Sequence, residues 1–176
     1  MDDAQLVART RAGDPAAFEE LVARHHAACL RYAAHLLGDR TEAEDVVQET
    51  WVRAYRSLDG YQERSQFRSW LFRILVNRCR TSFGRTRRWR AVPSGETPVV
   101  NDRAASVELQ SQLGHALTGL DEPHREAFLL KFGEELSYDE IAKLTGVSVP
   151  ALKMRVKRAR DRVKEQWKEL DSDGRG

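Results

Sequence analysis

Apolar residues in the first part of the chain recur at the spacing of helices that bury one face. From Phe18 to Leu37 they follow the 3.6-residue helical period, and Gly38 supplies a typical helix end. The positions are Phe18, Leu21, Val22, Cys29, Tyr32, Ala33 and Leu36. Residues 4–11 form a shorter stretch that Gly13-Asp14-Pro15 ends. Two consecutive helices are therefore predicted.

A third and a fourth helix are predicted before residue 90. Thr41-Glu42-Ala43-Glu44 has the form of a capping box and predicts a helix to about Ser57. Its predicted inner face consists of Val46, Val47, Thr50, Trp51, Ala54 and Tyr55. A polar loop over residues 59–65 then precedes a basic helix from Phe67 to about Arg85.

The helical pattern stops at residues 91–104, AVPSGETPVVNDRA, which contain two prolines, a glycine and no apolar period. We predict a first domain over 1–90, a flexible linker over 91–104, a second domain over 105–170 and a disordered tail over 171–176. No stretch alternates like a strand. The predicted fold class is all-α, with two small helical domains joined by an extended linker, the second a four-helix domain ending in a helix-turn-helix.

The predicted helix-turn-helix has clear local signals. Ser137-Tyr138-Asp139-Glu140 is a capping box, Gly146 suits the turn, and Ser148 with Pro150 suits the start of the second helix. On the second helix, Leu152, Val156, Ala159 and Val163 share one face, which we predict to be buried. The opposite face carries Met154, Lys157, Arg158 and Asp161, with Lys153, Arg155, Arg160 and Arg162 beside it.

Composition excludes several classes of protein. With 176 residues, 41% hydrophobic and 32% charged, the chain fits a helix-rich folded protein and not a disordered one. No apolar run approaches the roughly 18–20 residues that a transmembrane helix needs. Cys29 and Cys79 make no disulfide framework, so we expect a cytoplasmic protein.

The formal net charge of +2 conceals two strongly basic segments. Residues 64–90 contain nine arginines and no acidic residue, and residues 153–168 carry a net charge of +6, while the rest of the chain is acidic. Either segment could be a solvated helix face. Two such segments, each within an amphipathic helix, favour two separate contacts with a polyanion.

The two basic helices differ in the kind of nucleic acid they suit. A helix-turn-helix contacts bases with the N-terminal part of its second helix, and Arg158 is the strongest candidate because guanidinium can bind guanine with two hydrogen bonds. In the first domain, Arg73, Asn77 and Arg80 form a polar stripe near Tyr61, which suits unstacked bases and phosphates. Packing in the core is the favoured interpretation for both Tyr61 and Trp70, more strongly for Trp70, with a stacking platform for bases as the alternative.

The outer face of the third helix consists of Asp45, Gln48, Glu49, Val52 and Arg56. Its residues allow two interpretations. It could be an ordinary solvated face on which Glu49 pairs with Arg53, or an acidic face that docks on a protein partner.

Enzyme chemistry is not indicated. There is no phosphate loop, no His-Glu-x-x-His and no Cys-x-x-Cys motif, and His25 with Cys29 would not complete a zinc site. We expect no enzyme activity, no catalytic residue, no metal site and no cofactor. A stand-alone DNA-binding regulator is the other functional class considered; it would leave the Arg73–Asn77–Arg80 stripe unexplained.

Four stretches together resemble the extracytoplasmic-function (ECF) sigma factors of the sigma-70 family. They are DPAAFEELVARHHAACLRYAAHLLGD (14–39), EAEDVVQETWVRAYRSLDGY (42–61), FRSWLFRILVNRCRT (67–81) and LSYDEIAKLTGVSVPALKMRVKRARDRVKE (136–165). They cover nearly all of the chain outside the predicted linker and tail, in the family's order. The resemblance implies a sigma factor that directs promoter-specific transcription initiation.

The resemblance implies three interfaces and their residues. The first domain would dock on the clamp coiled coil of core RNA polymerase through Asp45, Gln48, Glu49 and Val52. It would capture the melted −10 strand, with the loop 59–66 and with Tyr61, Arg73, Asn77 and Arg80. The second domain would bind −35 duplex DNA through Lys153, Met154, Arg155, Lys157 and Arg158. An anti-sigma factor is a further implied partner. Pro150-Ala151 replaces the family's usual Gly-Thr, so the −35 sequence preference cannot be transferred.

Overall fold

The computed structural model describes residues 1–62, 66–89 and 114–173, without the side chains of 85–89 and 169–173. The helices are α1 (Asp3–Arg11), α2 (Pro15–Leu37), α3 (Arg40–Ser57), α4 (Phe67–Trp89), α5 (Glu122–Phe128), α6 (Tyr138–Thr145) and α7 (Val149–Asp173). Residues 114–118 are also helical. These ranges contain no strand, and the all-α prediction is confirmed. None of their helices is long and apolar enough to cross a membrane.

Local sequence signals account for the helix ends in the first part of the chain. Asp2 caps α1, since its side chain accepts a hydrogen bond from the Gln5 amide at 2.8 Å. After α2, Gly38 adopts a positive φ of 71°, as expected of a helix-ending glycine. Helix α3 begins at Arg40, so Thr41 lies inside its first turn and not at the predicted cap. A 3₁₀ turn, Leu58–Gly60, follows α3.

The chain divides into two compact units, Met1–Ala33 with Thr41–Val92 and Ala34–Arg40 with Pro93–Gly176. In the first unit, the core is formed by apolar side chains of α1 to α4 that are at most 2% exposed. Examples are Leu6, Leu21, Cys29, Tyr32, Val47, Leu71, Phe72 and Val76. The predicted linker, 91–104, lies outside the described residues.

In the second unit, α5 continues into a π turn, Leu129–Gly133. Arg125 of α5 donates hydrogen bonds to the carbonyl oxygens of Leu117 at 2.9 Å and Leu120 at 2.8 Å. Burial lowers the pKa of Arg125, but the pKa of a guanidinium is so high that the side chain keeps its charge. Arg125 therefore fastens α5 to the end of the helical residues 114–118.

The helix-turn-helix of the second unit forms as predicted. Ser137 caps α6, and Gly146 follows α6 with a φ of 73° in the left-handed region. The predicted inner face of α7 is buried: Leu152, Val156, Ala159 and Val163. Helix α7 continues to Asp173, into the segment predicted as a tail, whose last residues lie outside the described ones.

Ser137→Ala is expected to lower the free energy of unfolding by about 1 kcal/mol, because it removes the helix cap. Ser137 Oγ accepts a hydrogen bond from the Glu140 amide at 3.2 Å and donates one to the Glu140 carboxylate at 2.7 Å. Hydrogen bonds from the Ser137 side chain and backbone hold the pKa of Glu140 below its usual value. This contribution is present above the unfolded-state pKa and is lost as the pH falls through the folded-state pKa.

The deficit of Ser137→Ala should therefore shrink when urea unfolding is measured by circular dichroism at acidic instead of neutral pH. Thr118→Ala removes an exposed hydroxyl of the same unit, which donates to the His115 carbonyl, and serves as the control. We expect it to change stability by less than about 0.5 kcal/mol. Equal deficits for Ser137→Ala at both pH values would contradict the role of the Glu140 carboxylate.

Candidate protein and nucleic-acid interfaces

The outer face of α3 presents four side chains that we call the docking face: Asp45, Gln48, Glu49 and Val52. Asp45, Gln48 and Glu49 are exposed, and Val52 is 44% exposed. An exposed β-branched side chain among polar neighbours is typical of a contact surface when other apolar groups adjoin it. This side of α3 is therefore a candidate contact surface for a protein partner.

Tyr55 adds such an apolar group, and its predicted place on the inner face is wrong. It is 56% exposed, while Trp51, one turn earlier, is 7% exposed. The ring of Phe18 contacts both, at centroid distances of 5.0 Å from Tyr55 and 5.8 Å from Trp51. Because Trp51 occupies the interior position against Phe18, Tyr55 lies at the rim, next to the docking face.

Glu49 of the docking face forms an ion pair with Arg78 of α4. The Arg78 side chain is only 12% exposed, whereas that of Glu49 is 46% exposed. Glu49 thus pairs with an arginine 29 positions away on a neighbouring helix, and not with Arg53 on its own helix. The carboxylate of Glu49 neutralises a largely buried guanidinium as well as contributing to the outer face.

A basic groove with a volume of about 520 Å³ lies between α3 and α4. It is lined by Arg53, Arg56, Ser57, Ile74, Asn77 and Arg78. Three guanidinium groups and one amide around an isoleucine suit a polyanion that also presents flat apolar surface, such as an unpaired strand. Sequence periodicity gave Arg53 and Arg56 other places, as a partner of Glu49 and on the outer face of α3. It could not group them with Asn77, because Asn77 belongs to a different helix.

The predicted stripe of α4 is divided by the tertiary structure. Asn77 lies in the basic groove, while Arg73 is exposed and Arg80 is half-buried, and neither lines that groove. Arg73 and Arg80 therefore extend the positive surface of α4 beyond the groove, where they can contact phosphates but not a group held inside it.

Tyr61 is buried, being 5% exposed. Its ring lies 5.2 Å from that of Trp70 and 6.0 Å from that of Phe67, measured between centroids. The packing interpretation describes this geometry, because the ring belongs to an aromatic cluster and is not presented to solvent. Arg11 of α1 also contacts this residue, with its guanidinium carbon 5.9 Å from the ring centroid.

The outer side of α7 presents the residues predicted to contact duplex DNA. Lys153, Met154, Lys157 and Arg158 are exposed, with Met154 at 51%, and Arg155 is half-buried. A helix that buries one face and exposes cations and a thioether on the other has the form required to enter a major groove. All five predicted residues lie within residues 153–158, in the N-terminal half of α7.

Arg158 also lines a cleft of about 470 Å³, which the sequence did not indicate. The lining residues are Gly119, Leu120, Asp121, His124, Arg158, Asp161, Arg162 and Glu165. Burial raises the pKa of Asp121, but hydrogen bonds from the ring and amide of His124 outweigh it, so this pKa lies below its usual value. The Asp121 carboxylate, which lines this cleft together with the middle of α7, therefore stays charged at neutral pH.

No metal centre is indicated by the part of the chain described: within it, no group of three His, Cys, Asp or Glu side chains could hold a metal ion. His25 Nε2 lies 2.8 Å from a carboxylate oxygen of Asp3, and Cys29 is fully buried. The histidine is thus engaged by an acidic side chain of α1.

Two family models match the chain. The model of sigma-70 region 2 matches residues 21–90, and the model of sigma-70 region 4 matches residues 110–163. The first match contains the docking face and the basic groove, and the second contains the helix-turn-helix.

Curated relatives match over nearly the whole chain. The RNA polymerase sigma factor CnrH of Cupriavidus metallidurans is 34% identical, over 92% of this chain and 92% of the relative. The ECF sigma factor SigM of Mycobacterium tuberculosis is 32% identical, over 92% and 82%. The ECF sigma factor SigW of Bacillus subtilis is 28% identical, over 93% and 96%.

Solved structures of sigma factors also match this chain. CnrH in complex with the cytosolic domain of CnrY has a TM-score of 0.72 and 34% identity, covering 97% of this chain and 98% of that one. The sigma factor RpoE in complex with the anti-sigma factor NepR, from Bartonella quintana, has a TM-score of 0.75 and 29% identity, covering 86% and 96%.

Proposed function

The chain belongs to the ECF sigma factors of the sigma-70 family, and on that premise we propose how it directs promoter-specific transcription initiation with RNA polymerase. Helix α7 binds the −35 element as duplex, and the basic groove between α3 and α4 binds the melted −10 strand. One observation carries the proposal: each compact unit presents its own cationic surface. The first surface is a groove between α3 and α4, and the second is the exposed side of a single helix, α7.

The duplex contact is argued from α7. Its exposed cations lie on both sides of Met154, so the helix can place side chains on base edges while flanking cations bind phosphates. Lys153 lies 5.8 Å from the ring of Tyr138, which limits its reach. Lys157 and Arg158 are one helical turn beyond Lys153 and Met154 and are the central candidates for base contacts.

The strand contact is argued from the basic groove. A melted strand exposes phosphates and base faces together, and the groove offers guanidinium groups beside Asn77 and Ile74. An amide can donate to and accept from a base edge, whereas arginine only donates. We therefore assign base contact to Asn77 and phosphate contact to Arg53 and Arg56, with Arg73 and Arg80 binding the strand outside the groove.

The docking face would bind core RNA polymerase at its clamp coiled coil. Asp45 and Glu49 supply negative charge, while Val52 and Tyr55 supply exposed apolar area. This combination of an apolar centre and a charged rim is the usual composition of a specific protein interface. The two proposed contacts of the first unit share α3, so polymerase and strand would bind neighbouring sides of one helix.

We further propose that an anti-sigma factor binds this chain when it is inactive. The solved structure of CnrH contains the cytosolic domain of CnrY, and that of RpoE contains the anti-sigma factor NepR. The proposed functional domains are 1–90 for polymerase and −10 contacts and 105–170 for the −35 contact, connected by 91–104.

The test is promoter binding and run-off transcription with purified protein, with and without core polymerase. We expect negligible specific duplex binding by the chain alone, and specific binding with initiation once core polymerase is added. Tight binding to an operator without polymerase would instead identify a stand-alone regulator. No initiation with core polymerase on any template from the source genome would refute the proposal.

Variants of the basic groove test the strand contact in the same assay. Asn77→Ala should reduce discrimination among −10 strand sequences by about 1–3 kcal/mol, since it removes a base contact. Arg53→Ala should weaken binding to all strand sequences alike and lower the salt dependence of binding by about one released counterion. Arg31→Ala, an exposed arginine of α2, is the matched control and should behave as the wild type. If Asn77→Ala selects among strand sequences as the wild type does, Asn77 does not contact a base and this assignment is wrong.

A further inference from the structure

Arg78 supplies the inner guanidinium of the basic groove. Its side chain is 12% exposed, whereas Arg53 and Arg56, which line the same groove, are exposed. Its Nη2 donates a hydrogen bond to the carboxylate of Glu49. Its Nε is buried and has no hydrogen-bond partner among the residues that the structure describes. The guanidinium therefore has one engaged donor and one unpartnered donor beside an open groove.

The ion pair between Glu49 and Arg78 connects the docking face of α3 with the basic groove. The Glu49 side chain is 46% exposed, and ion pairs that water can screen contribute little to stability. Arg78 is largely buried and needs an anion beside it, because a buried charge that loses its partner is strongly destabilising. Glu49 is therefore the replaceable member of the pair, as long as another anion takes its place.

A backbone phosphate is an anion that fits this position. Its two terminal oxygens can accept hydrogen bonds from Nε and Nη2 of one guanidinium at the same time, which binds more strongly than a single hydrogen bond. Arg53 and Arg56 add positive charge to the same groove, and this favours a chain of phosphates over an isolated carboxylate. Glu49 and a strand phosphate therefore compete for Arg78.

We propose that Arg78 is a phosphate-binding residue of the basic groove, and that Glu49 blocks it until RNA polymerase binds the docking face. The Glu49 carboxylate then contacts polymerase, and Arg78 binds a phosphate of the melted strand. Polymerase binding and strand binding thus favour each other by about tenfold, within the range typical of coupled sites. The inference rests on the proposed function, in which polymerase and strand bind neighbouring sides of α3.

Glu49→Gln in the full chain tests the block without polymerase, since the amide keeps the shape of the side chain and removes its charge. Binding of a labelled single-stranded oligodeoxynucleotide of mixed sequence should become about tenfold tighter than in the wild type. The salt dependence of binding should rise by about one released counterion, because one more phosphate is neutralised. Glu19→Gln makes the same change in net charge at an exposed position of α2, and its affinity should stay within about twofold.

Arg78→Met tests whether Arg78 is the residue that gains the phosphate, because methionine keeps much of the aliphatic stem and removes every donor. In this background Glu49→Gln should no longer tighten strand binding, which a double-mutant cycle measures. Circular dichroism checks that the helical content is unchanged. Arg78→Lys, which keeps the charge without the planar fork, is the second variant, and in it the gain from Glu49→Gln should be smaller than tenfold.

The holoenzyme supplies the test of coupling. At saturating core polymerase the wild-type Glu49 is already engaged, so Glu49→Gln and the wild type should bind the strand within about twofold of each other. If Glu49→Gln keeps its tenfold advantage in the holoenzyme, polymerase does not release Arg78 and the proposal is wrong.

The other outcomes are equally distinct. The proposal is overturned if Glu49→Gln gives no gain, if Glu19→Gln gives the same gain, or if the gain persists in Arg78→Met. Each of these results leaves the proposed function intact when Arg53→Ala still weakens strand binding. If Arg53→Ala and Arg78→Met both bind the strand as tightly as the wild type does, the proposed strand contact itself is wrong and this inference fails with it.

Discussion

Asp45→Arg is expected to weaken the complex with core RNA polymerase by about a hundredfold or more. It places a positive charge where the docking face offers a negative one to its partner, and two like charges facing each other across an interface cost several kcal/mol. Asp45 is exposed on the docking face, next to Gln48 and Glu49. The substitution removes no buried contact, so the helical content should not change. Titration of labelled protein with core polymerase measures the affinity, and circular dichroism measures the helical content.

The structure determines which residue should carry this charge reversal. Glu49 pairs with Arg78, and Glu49→Arg would leave a largely buried guanidinium without its carboxylate and beside a second cation. A loss of binding would then be confounded with a loss of packing. Asp45→Arg avoids this problem, and Glu49→Gln can be added as a milder change that keeps the shape of the side chain.

Glu19→Arg, a charge reversal at an exposed position of α2, is the matched control. It makes the same change in net charge as Asp45→Arg and should leave the affinity for core polymerase within about threefold, as expected of a charge outside the contact. If Asp45→Arg keeps its fold and binds core polymerase as tightly as the wild type, the docking face is not the contact with core polymerase.

Arg158→Ala is expected to relax selection of the −35 element by about 1–3 kcal/mol, or roughly 5- to 150-fold at one base position. Arg158 is exposed on the outer side of α7 and lines a cleft with Asp121 and Asp161. A bidentate contact to guanine is specific for one base, so the loss should concentrate at one position. Transcription from promoters with every single-base change in the −35 element measures this.

Arg160→Ala is the control for Arg158→Ala. Arg160 is an exposed arginine of the same helix that lies 3.9 Å from the Asp161 carboxylate. As a phosphate contact it should weaken all promoters alike, without changing their order. If Arg158→Ala also weakens every −35 variant in parallel, its guanidinium binds phosphate and the assignment of a base contact is wrong.

Much of the fold was predictable because the signals are local. The capping box at Ser137, the left-handed Gly146 and the buried face of α7 each depend on residues within two or three helical turns. The charge segregation into two basic segments is likewise a property of consecutive residues. Family membership follows from the order of several such segments.

The exact surfaces depend on contacts between helices far apart in the chain. Periodicity assigned Tyr55 to the interior, but Phe18 and Trp51 together occupy that space, and the tyrosine is displaced to the rim. A helix of 3.6 residues per turn gives each side chain an angle, while the neighbouring helices decide how wide the buried sector is. Residues at the edge of the sector therefore cannot be assigned from sequence.

The helices, the helix-turn-helix and the two basic segments are predictable from local sequence, because propensity, capping and periodicity act over a few residues. No local pattern predicts that Glu49 pairs with Arg78, that Arg53 and Asn77 line one groove, or that Arg11 binds the turn after α3. Each of these contacts joins different helices. They are set by how the helices pack, which no local pattern encodes.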